Sequence, residues 1–319
     1  MVSMLLVMLV HTCYNGILPW YETPTYSIEN FVRFLIEAIS IVGINCFVLI
    51  SSYFRIRLKL KSVANIAFQA YFFSILGLIG YYILNNQVPA STLLRCLFPL
   101  SNYIWFLPCY LLLILFSPIL NSWLKASSTQ HIFIITVLLY GITYYWGIAW
   151  KDSHGFGGYS FGFFIILYIT GNLIARYRHN RPPRKWMYLS CYFACVAILI
   201  IISAIQYKYP VFTSLIWNYD CPIVFLESIC LFLFFTCIDI GCNRLVNWIG
   251  RSCFAVLLLH IAPCSTYNQW LRQVSENTSG FNTLLWTALI VIVYFVTAIL
   301  LDQCRLRLWN KLIQPYFRK

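Results

Sequence analysis

Long apolar stretches separated by short polar ones run through this chain, and the first begins at Met1 with no Lys, Arg, Asp or Glu before Glu22. A helix that crosses a membrane needs about 20 predominantly apolar residues. With breaks taken at Pro, Gly, Asn and charge clusters, the pattern predicts ten such helices. They lie at roughly 1–18, 33–54, 63–84, 103–120, 131–149, 158–175, 186–206, 220–238, 245–262 and 283–301. The first is short and looks clipped. The fourth is interrupted near its start by Pro99 and Pro108, which break helical geometry. No soluble domain fits between the spans and no internal repeat is evident, so residues 1–319 are read as a single transmembrane domain.

Composition points the same way. Hydrophobic residues make up 61% of the 319 and charged residues 10%, more apolar side chain than a soluble domain of this size hides. The expected fold is an all-α, polytopic membrane helix bundle of about ten transmembrane helices. The net charge of +13 invites a nucleic-acid reading, but the placement of the charges points elsewhere. With the N-terminus cytoplasmic, seventeen Lys and Arg fall on inner segments and four on outer ones, so both termini are expected in the cytoplasm. The inner clusters, such as Arg55–Lys61 and Arg176–Lys185, also suit anionic lipid headgroups or an anionic cytoplasmic cosubstrate. No phosphate loop of the G-x-x-x-x-G-K type occurs. The closest cysteine pairs, Cys191/Cys195 and Cys237/Cys242, lack zinc-site spacing, so no metal site and no structural disulfide are expected. The opening stretch lacks a basic lead-in and a cleavage pattern, and is read as a retained helix.

Ionisable side chains within apolar spans are the candidates for chemistry, because each one costs free energy in hydrocarbon and needs a partner. His11 lies about 15 Å along a helix that starts at Met1. It is either a general base or a helix-packing histidine hydrogen-bonded across the bundle. Glu227 stands alone in the eighth span, where it must be paired, protonated or facing a wet cavity. It either orients an imidazole, binds a substrate hydroxyl or forms a neutral interhelical hydrogen bond. Arg33 and Glu37 share one helix face and read as an ion pair. Asn45, Ser51 and Ser52 add polar groups to the second span, with helix–helix hydrogen bonding as their default role. Aromatic residues in outer segments, among them Trp20, Tyr103, Trp105, Trp150, Tyr267 and Trp270, suit either an interface belt or stacking on sugar rings.

Four stretches, in order, resemble the bacterial integral-membrane acyltransferase family three, whose members include polysaccharide O-acetyltransferases. The first is the apolar opening that ends in His11. The second, Gly43 to Phe54, is similar to the family's Phe-Phe-x-x-Ser-Gly-Tyr stretch. The third is Trp105-Phe106-Leu107 with Tyr110 and Ser117-Pro118, and the fourth runs from Ile249-Gly250 through Ser252 and Phe254 to His260. The resemblance implies ten helices, no bound cofactor, and a cytoplasmic acyl-CoA, usually acetyl-CoA, as donor. It implies an acceptor hydroxyl on a glycan or lipid-linked sugar, a place in the bacterial cytoplasmic membrane among its lipids, and no nucleic-acid partner. It implies that His11 is essential, acting as the base that takes the proton from the hydroxyl. His260, Glu227, Trp105, Asn45 and Ser51 are the candidates for substrate binding or support.

Three positions depart from the family pattern. The family often places an Arg eleven positions before its histidine, a position that here precedes Met1, so the chain is expected to begin within its first helix. Ser52 replaces a glycine, adding a side chain at what is otherwise a close helix contact, and Leu257 stands where a Tyr is common. The competing class is a multi-pass transporter or flippase of a lipid-linked glycan, for which scattered polar residues and Glu227 would line a path. A further reading is an inactive member kept as a scaffold.

Overall fold

In the computed structural model of the chain, residues 1–13, 28–99, 104–149, 156–179, 182–208, 216–239, 241–262 and 266–317 are described. Trp20, Tyr103 and Trp150 lie outside the described residues, as does the end of the first predicted span. Thirteen α-helices, and no strand, are formed among the described residues. They are α1 Val2–His11, α2 Ile28–Ser40, α3 Gly43–Tyr53, α4 Leu60–Asn85, α5 Ala90–Leu97, α6 Phe106–Ala126, α7 Thr129–Ala149, α8 Phe161–His179, α9 Lys185–Lys208, α10 Pro222–Thr236, α11 Arg244–Ile261, α12 Tyr267–Asn277 and α13 Phe281–Leu308.

Seven helical stretches are long and apolar enough to cross a membrane among the described residues, so the ten expected crossings are not reached on that criterion. Helix α1 has ten residues and α10 fifteen. Helix α8 is long enough at 19 residues, but it carries Asn172, Arg176 and Arg178. Its burial explains the lower apolarity: Phe163, Phe164 and an almost unbroken run from Ile166 to Asn172 are covered by protein. A helix enclosed on every side by protein, rather than by lipid, can carry polar groups that its neighbours satisfy.

Contacts divide the chain into two compact units. The first comprises Met1–Ile36, Lys59–Pro108 and Cys242–Lys319, and the second Glu37–Leu58 and Cys109–Gly241. In the first, α11 packs on α13, α4 and α1, and α12 packs on α13. In the second, α9 packs on α10, while α3 packs on α8 and α10 and α7 on α8. Apolar side chains lie on the outside of these helices as well as in the core. Helix α4 exposes Ile75, Ile79, Tyr82 and Ile83 at helical spacing, while it buries Gln69 and Ser74. Apolar side chains facing outward and polar ones inward suit a hydrocarbon solvent.

The polar residues held inside have specific partners. In the first unit Asp302 and Arg305 of α13 are almost fully buried and paired, Arg305 Nε lying 2.6 Å from Asp302 Oδ1. Gln69 Nε2 donates to the same oxygen at 2.9 Å, and Arg305 donates to Asn65 Oδ1 at 2.7 Å. This cluster ties α13 to α4, and Arg305 is therefore interior rather than part of a solvated inner segment. In the second unit Arg176 donates to the carbonyls of Leu124 and Ser127 at the end of α6, the carbonyls that a helix terminus leaves without internal donors. Pro118 inside α6 cannot donate to the carbonyl four residues back, and Ser117 Oγ donates to that carbonyl, Ile114 O, at 2.7 Å. The second predicted span is one of the seven stretches, Phe31–Tyr53, with a turn at Ile41–Val42 between α2 and α3, and the Tyr192 hydroxyl donates to Ile39 O at 2.7 Å beside that turn.

Ser52, the residue that replaces the motif glycine, donates its hydroxyl to Tyr168 O of α8. The close approach survives because α8 supplies a glycine instead. A Cβ on Gly171 would lie 2.7 Å from Ser52 Cβ and 2.8 Å from Leu49 O. Gly171→Ala is expected to destabilise the purified protein by about 1–3 kcal/mol through overpacking, read as a lower thermal midpoint in detergent. Asp302→Asn, which leaves Arg305 buried with a neutral partner, is expected to cost about 3–5 kcal/mol, and the paired change Asp302→Leu with Arg305→Met to recover most of that. A double variant no more stable than the single one in the same thermal assay would mean that the cluster contributes more than mutual neutralisation.

Candidate active site

Helix α1 places Met4, Val7, Met8 and His11 along one stripe at three- and four-residue spacing, and the first three are buried. Helix α11 buries Val256 and His260 one turn apart. It begins at an Asn243 cap, whose side chain accepts from Val246 N at 3.1 Å. It ends at Ala262, whose ψ of 142° is the extended setting favoured before a proline. Because α1 packs on α11, the two imidazoles meet: His11 Nδ1 lies 2.7 Å from His260 Nε2.

The proton positions follow from one carbonyl. His260 Nδ1 lies 2.5 Å from Val256 O on its own helix. A carbonyl only accepts, so His260 Nδ1 carries the hydrogen, and in a neutral ring its Nε2 is then the acceptor. His11 Nδ1 must therefore donate to His260. His11 Nε2 is left with a lone pair, and it has no hydrogen-bond partner among the described residues. His260 is buried, whereas His11 is partly exposed. Of the two bonded rings, His260 has both nitrogens engaged, whereas His11 has one nitrogen without a partner among the described residues.

A second set of contacts holds the end of α1. Thr12 Oγ1 donates to Met8 O at 2.8 Å and accepts from the Tyr267 hydroxyl. The Tyr267 ring is fully buried, and it meets His260 edge-on at 5.6 Å and Tyr294 at 4.8 Å. Arg33 donates to Cys13 O at 3.3 Å. Sequence reasoning missed Thr12 and the Val256 carbonyl, and had Tyr267 only as an outer aromatic rather than as a partner of Thr12. Thr12 is adjacent to His11 in the chain, but nothing local marks Tyr267, 255 residues away, as its partner.

The other candidates are placed as follows. Trp105 belongs to the first unit, in the turn before α6, with its ring 6.2 Å from that of Phe106. Asn45, Ser51 and Glu227 belong to the second unit. Asn45 Nδ2 donates to Tyr219 O at 2.9 Å and to Ser228 Oγ at 3.0 Å, fastening α3 to α10 beside Glu227. Ser51 Oγ lies 3.0 Å from the Tyr110 hydroxyl, which joins the second and third motif stretches. Glu227 is fully buried, and neither of its carboxyl oxygens has a hydrogen-bond partner among the described residues. Asp220, ahead of α10, is buried, with its backbone carbonyl accepting from the Tyr140 hydroxyl at 2.8 Å. Among the described residues no group of three or more His, Cys, Asp or Glu is placed to hold a metal ion.

Seven membrane-length helical stretches among the described residues, and two imidazoles bonded to one another, define a multi-pass membrane protein with a histidine pair at the ends of two helices. The family model described as an acyltransferase domain, acyltransferase family 3, matches residues 1–302. The chain belongs to that family and is a membrane acyltransferase. No curated protein and no solved structure matches it.

Tyr267→Phe keeps the ring contacts and removes only the hydroxyl that donates to Thr12. It is expected to lower stability by about 0.5–1.5 kcal/mol, the net worth of one hydrogen bond, in a thermal or chemical unfolding assay of the solubilised protein.

Proposed function

We propose that the protein transfers an acyl group, acetyl in the first instance, from acyl-CoA to a hydroxyl of a cell-envelope carbohydrate in the bacterial cytoplasmic membrane. The observation that carries the reading is the chain of contacts from Val256 O through His260 to His11, which leaves His11 Nε2 as an available base. An acceptor hydroxyl gives its proton to His11 Nε2 as its oxygen attacks the thioester carbonyl. The resulting imidazolium is supported by the hydrogen bond from its Nδ1 to His260. Collapse of the tetrahedral intermediate breaks the carbon–sulfur bond, and His11 returns the proton to the departing thiolate. The base is thereby regenerated, and the products are the O-acyl ester and free CoA.

The donor is anionic, and the charge bias along the chain supports both termini, and hence the basic clusters, facing the cytoplasm. Arg176 and Arg305 are already engaged with protein groups. Arg55, Arg57, Lys59, Lys61, Arg244 and Arg251 are exposed and are the better candidates for the CoA phosphates. Membrane lipids are the surrounding partner. Asn45 and Ser51 support the reading only as helix fasteners, and Trp105 as a residue on the acceptor side.

One observation favours a second reading. Glu227, buried with both oxygens unpartnered among the described residues, suits a polar path through the second unit. That reading makes the protein a transporter or flippase of a lipid-linked glycan. Purified protein that moves such a glycan across a vesicle membrane while transferring no acetyl group would favour it.

The direct test is acetyl transfer by purified protein supplied with labelled acetyl-CoA and an envelope glycan fraction. His11→Ala is expected to lower the rate by about 10²–10⁴-fold. His260→Gln is expected to lower kcat about 10–100-fold, the loss typical of an outer supporting partner, with KM for acetyl-CoA little changed. Wild-type rates in His11→Ala at equal protein level would end the role of His11. A rise in KM alone for His260→Gln would make His260 a binding residue instead.

A further inference from the structure

Helices α12 and α13 flank an open cavity of about 450 Å³ that no step above uses. Its size lies within the range of small-molecule sites, which are mostly apolar with a few placed polar groups. The walls are graded. Gln273 and Asn277 stand at one end on α12, Trp270 and Trp286 flank the middle, and Leu289 and Val293 line the rest along α13. Counted from Phe281, Trp286 lies about 8 Å and Val293 about 18 Å along the helix. The cavity therefore runs from a helix end to hydrocarbon depth.

The chemistry of the walls selects an occupant. Both indoles are about half exposed, at 45% and 50%. The Gln273 amide makes no hydrogen bond among the described residues, and Asn277 uses Nδ2 on Gln273 O at 2.7 Å, keeping its Oδ1 as an acceptor. No charged residue lines the cavity, in a chain whose net charge is +13. An anionic headgroup or a CoA phosphate would find no cation there. A free sugar would leave the aliphatic depth unused, and a bare hydrocarbon chain would leave the amides unused. A sugar ring presents an apolar face to an indole and hydroxyls to amides, and an attached chain fills the remainder.

The cavity is also joined to the histidine pair. Trp270 meets Tyr294 edge-on at 5.6 Å, Tyr294 meets Tyr267 at 4.8 Å, and Tyr267 meets His260 at 5.6 Å. We infer that this cavity binds an uncharged glycolipid, with its sugar at the Gln273–Asn277 end between the indoles and its chain along Leu289 and Val293. As an acceptor site this rests on the acyl-transfer reading, whereas as a binding site it does not.

The test is photolabelling of the full chain in lipid nanodiscs with an alkyl glucoside that carries a diazirine in its chain, followed by peptide mapping. Labelling is expected on α13 between Trp286 and Val293. Unlabelled alkyl glucoside should compete, while glucose, phosphatidylglycerol and an alcohol of equal chain length should not. Gln273→Leu and Trp286→Ala, both at exposed positions, are each expected to lower labelling about fivefold, one neutral contact's worth, at an unchanged thermal midpoint. Equal competition by phosphatidylglycerol or the alcohol would overturn the proposal, leaving an ordinary lipid groove. Undiminished labelling in both variants would overturn it as well. Acetyl transfer is scored separately. Labelling without any transfer keeps the cavity and sinks the acyl-transfer reading, and transfer without labelling at α13 does the reverse.

Discussion

A carbonyl oxygen accepts hydrogen bonds and never donates one, and Val256 O thereby orders every proton position up to His11 Nε2. The ordering needs no charged residue, which matters where charge is costly. It depends on helix geometry at both ends. Val256 and His260 are in contact because they are one turn apart on α11, and His11 arrives because α1 packs against that helix with its buried stripe leading to the ring. Thr12 and Tyr267 then hold the end of α1, so the ring is placed by contacts on both sides of it.

The same requirement, that polar groups in hydrocarbon find partners inside the protein, accounts for most of the interior. Arg305 and Asp302 neutralise each other and take up the amides of Gln69 and Asn65. Arg176 serves the last carbonyls of α6, and Ser117 serves the carbonyl that Pro118 leaves free. Asn45 joins two helices through Ser228 and a backbone carbonyl. Against this background Glu227 stands out, since both its oxygens lack partners among the described residues. A buried polar group left in that state costs free energy.

The sequence reading and the structure part company at particular elements. The stretch Phe31–Tyr53 and helices α4, α6, α7, α9, α11 and α13 were visible as long apolar runs, since lipid selects for apolarity along the whole surface that faces it. Helix α8 satisfies its length but not that apolarity, because it is covered by protein and can carry Asn172 and two arginines. The turn at Ile41–Val42 was hidden because neither residue is a strong helix breaker and the Tyr192 hydroxyl that serves Ile39 O lies far along the chain. The contact at Ser52 was legible as tight, but not that Gly171 would make the room.

Sequence alone determined the all-helical membrane class, the family, and the two histidines worth watching, because hydropathy and motif order are properties of the chain itself. It could not determine what lies beside what. That His11 meets His260, 249 residues away, that Tyr267 holds Thr12, and that Arg305 is interior rather than solvated were decided by tertiary packing. The physical reason is that a hydrogen bond acts over about 3 Å, and only the fold brings residues from distant helices within that reach.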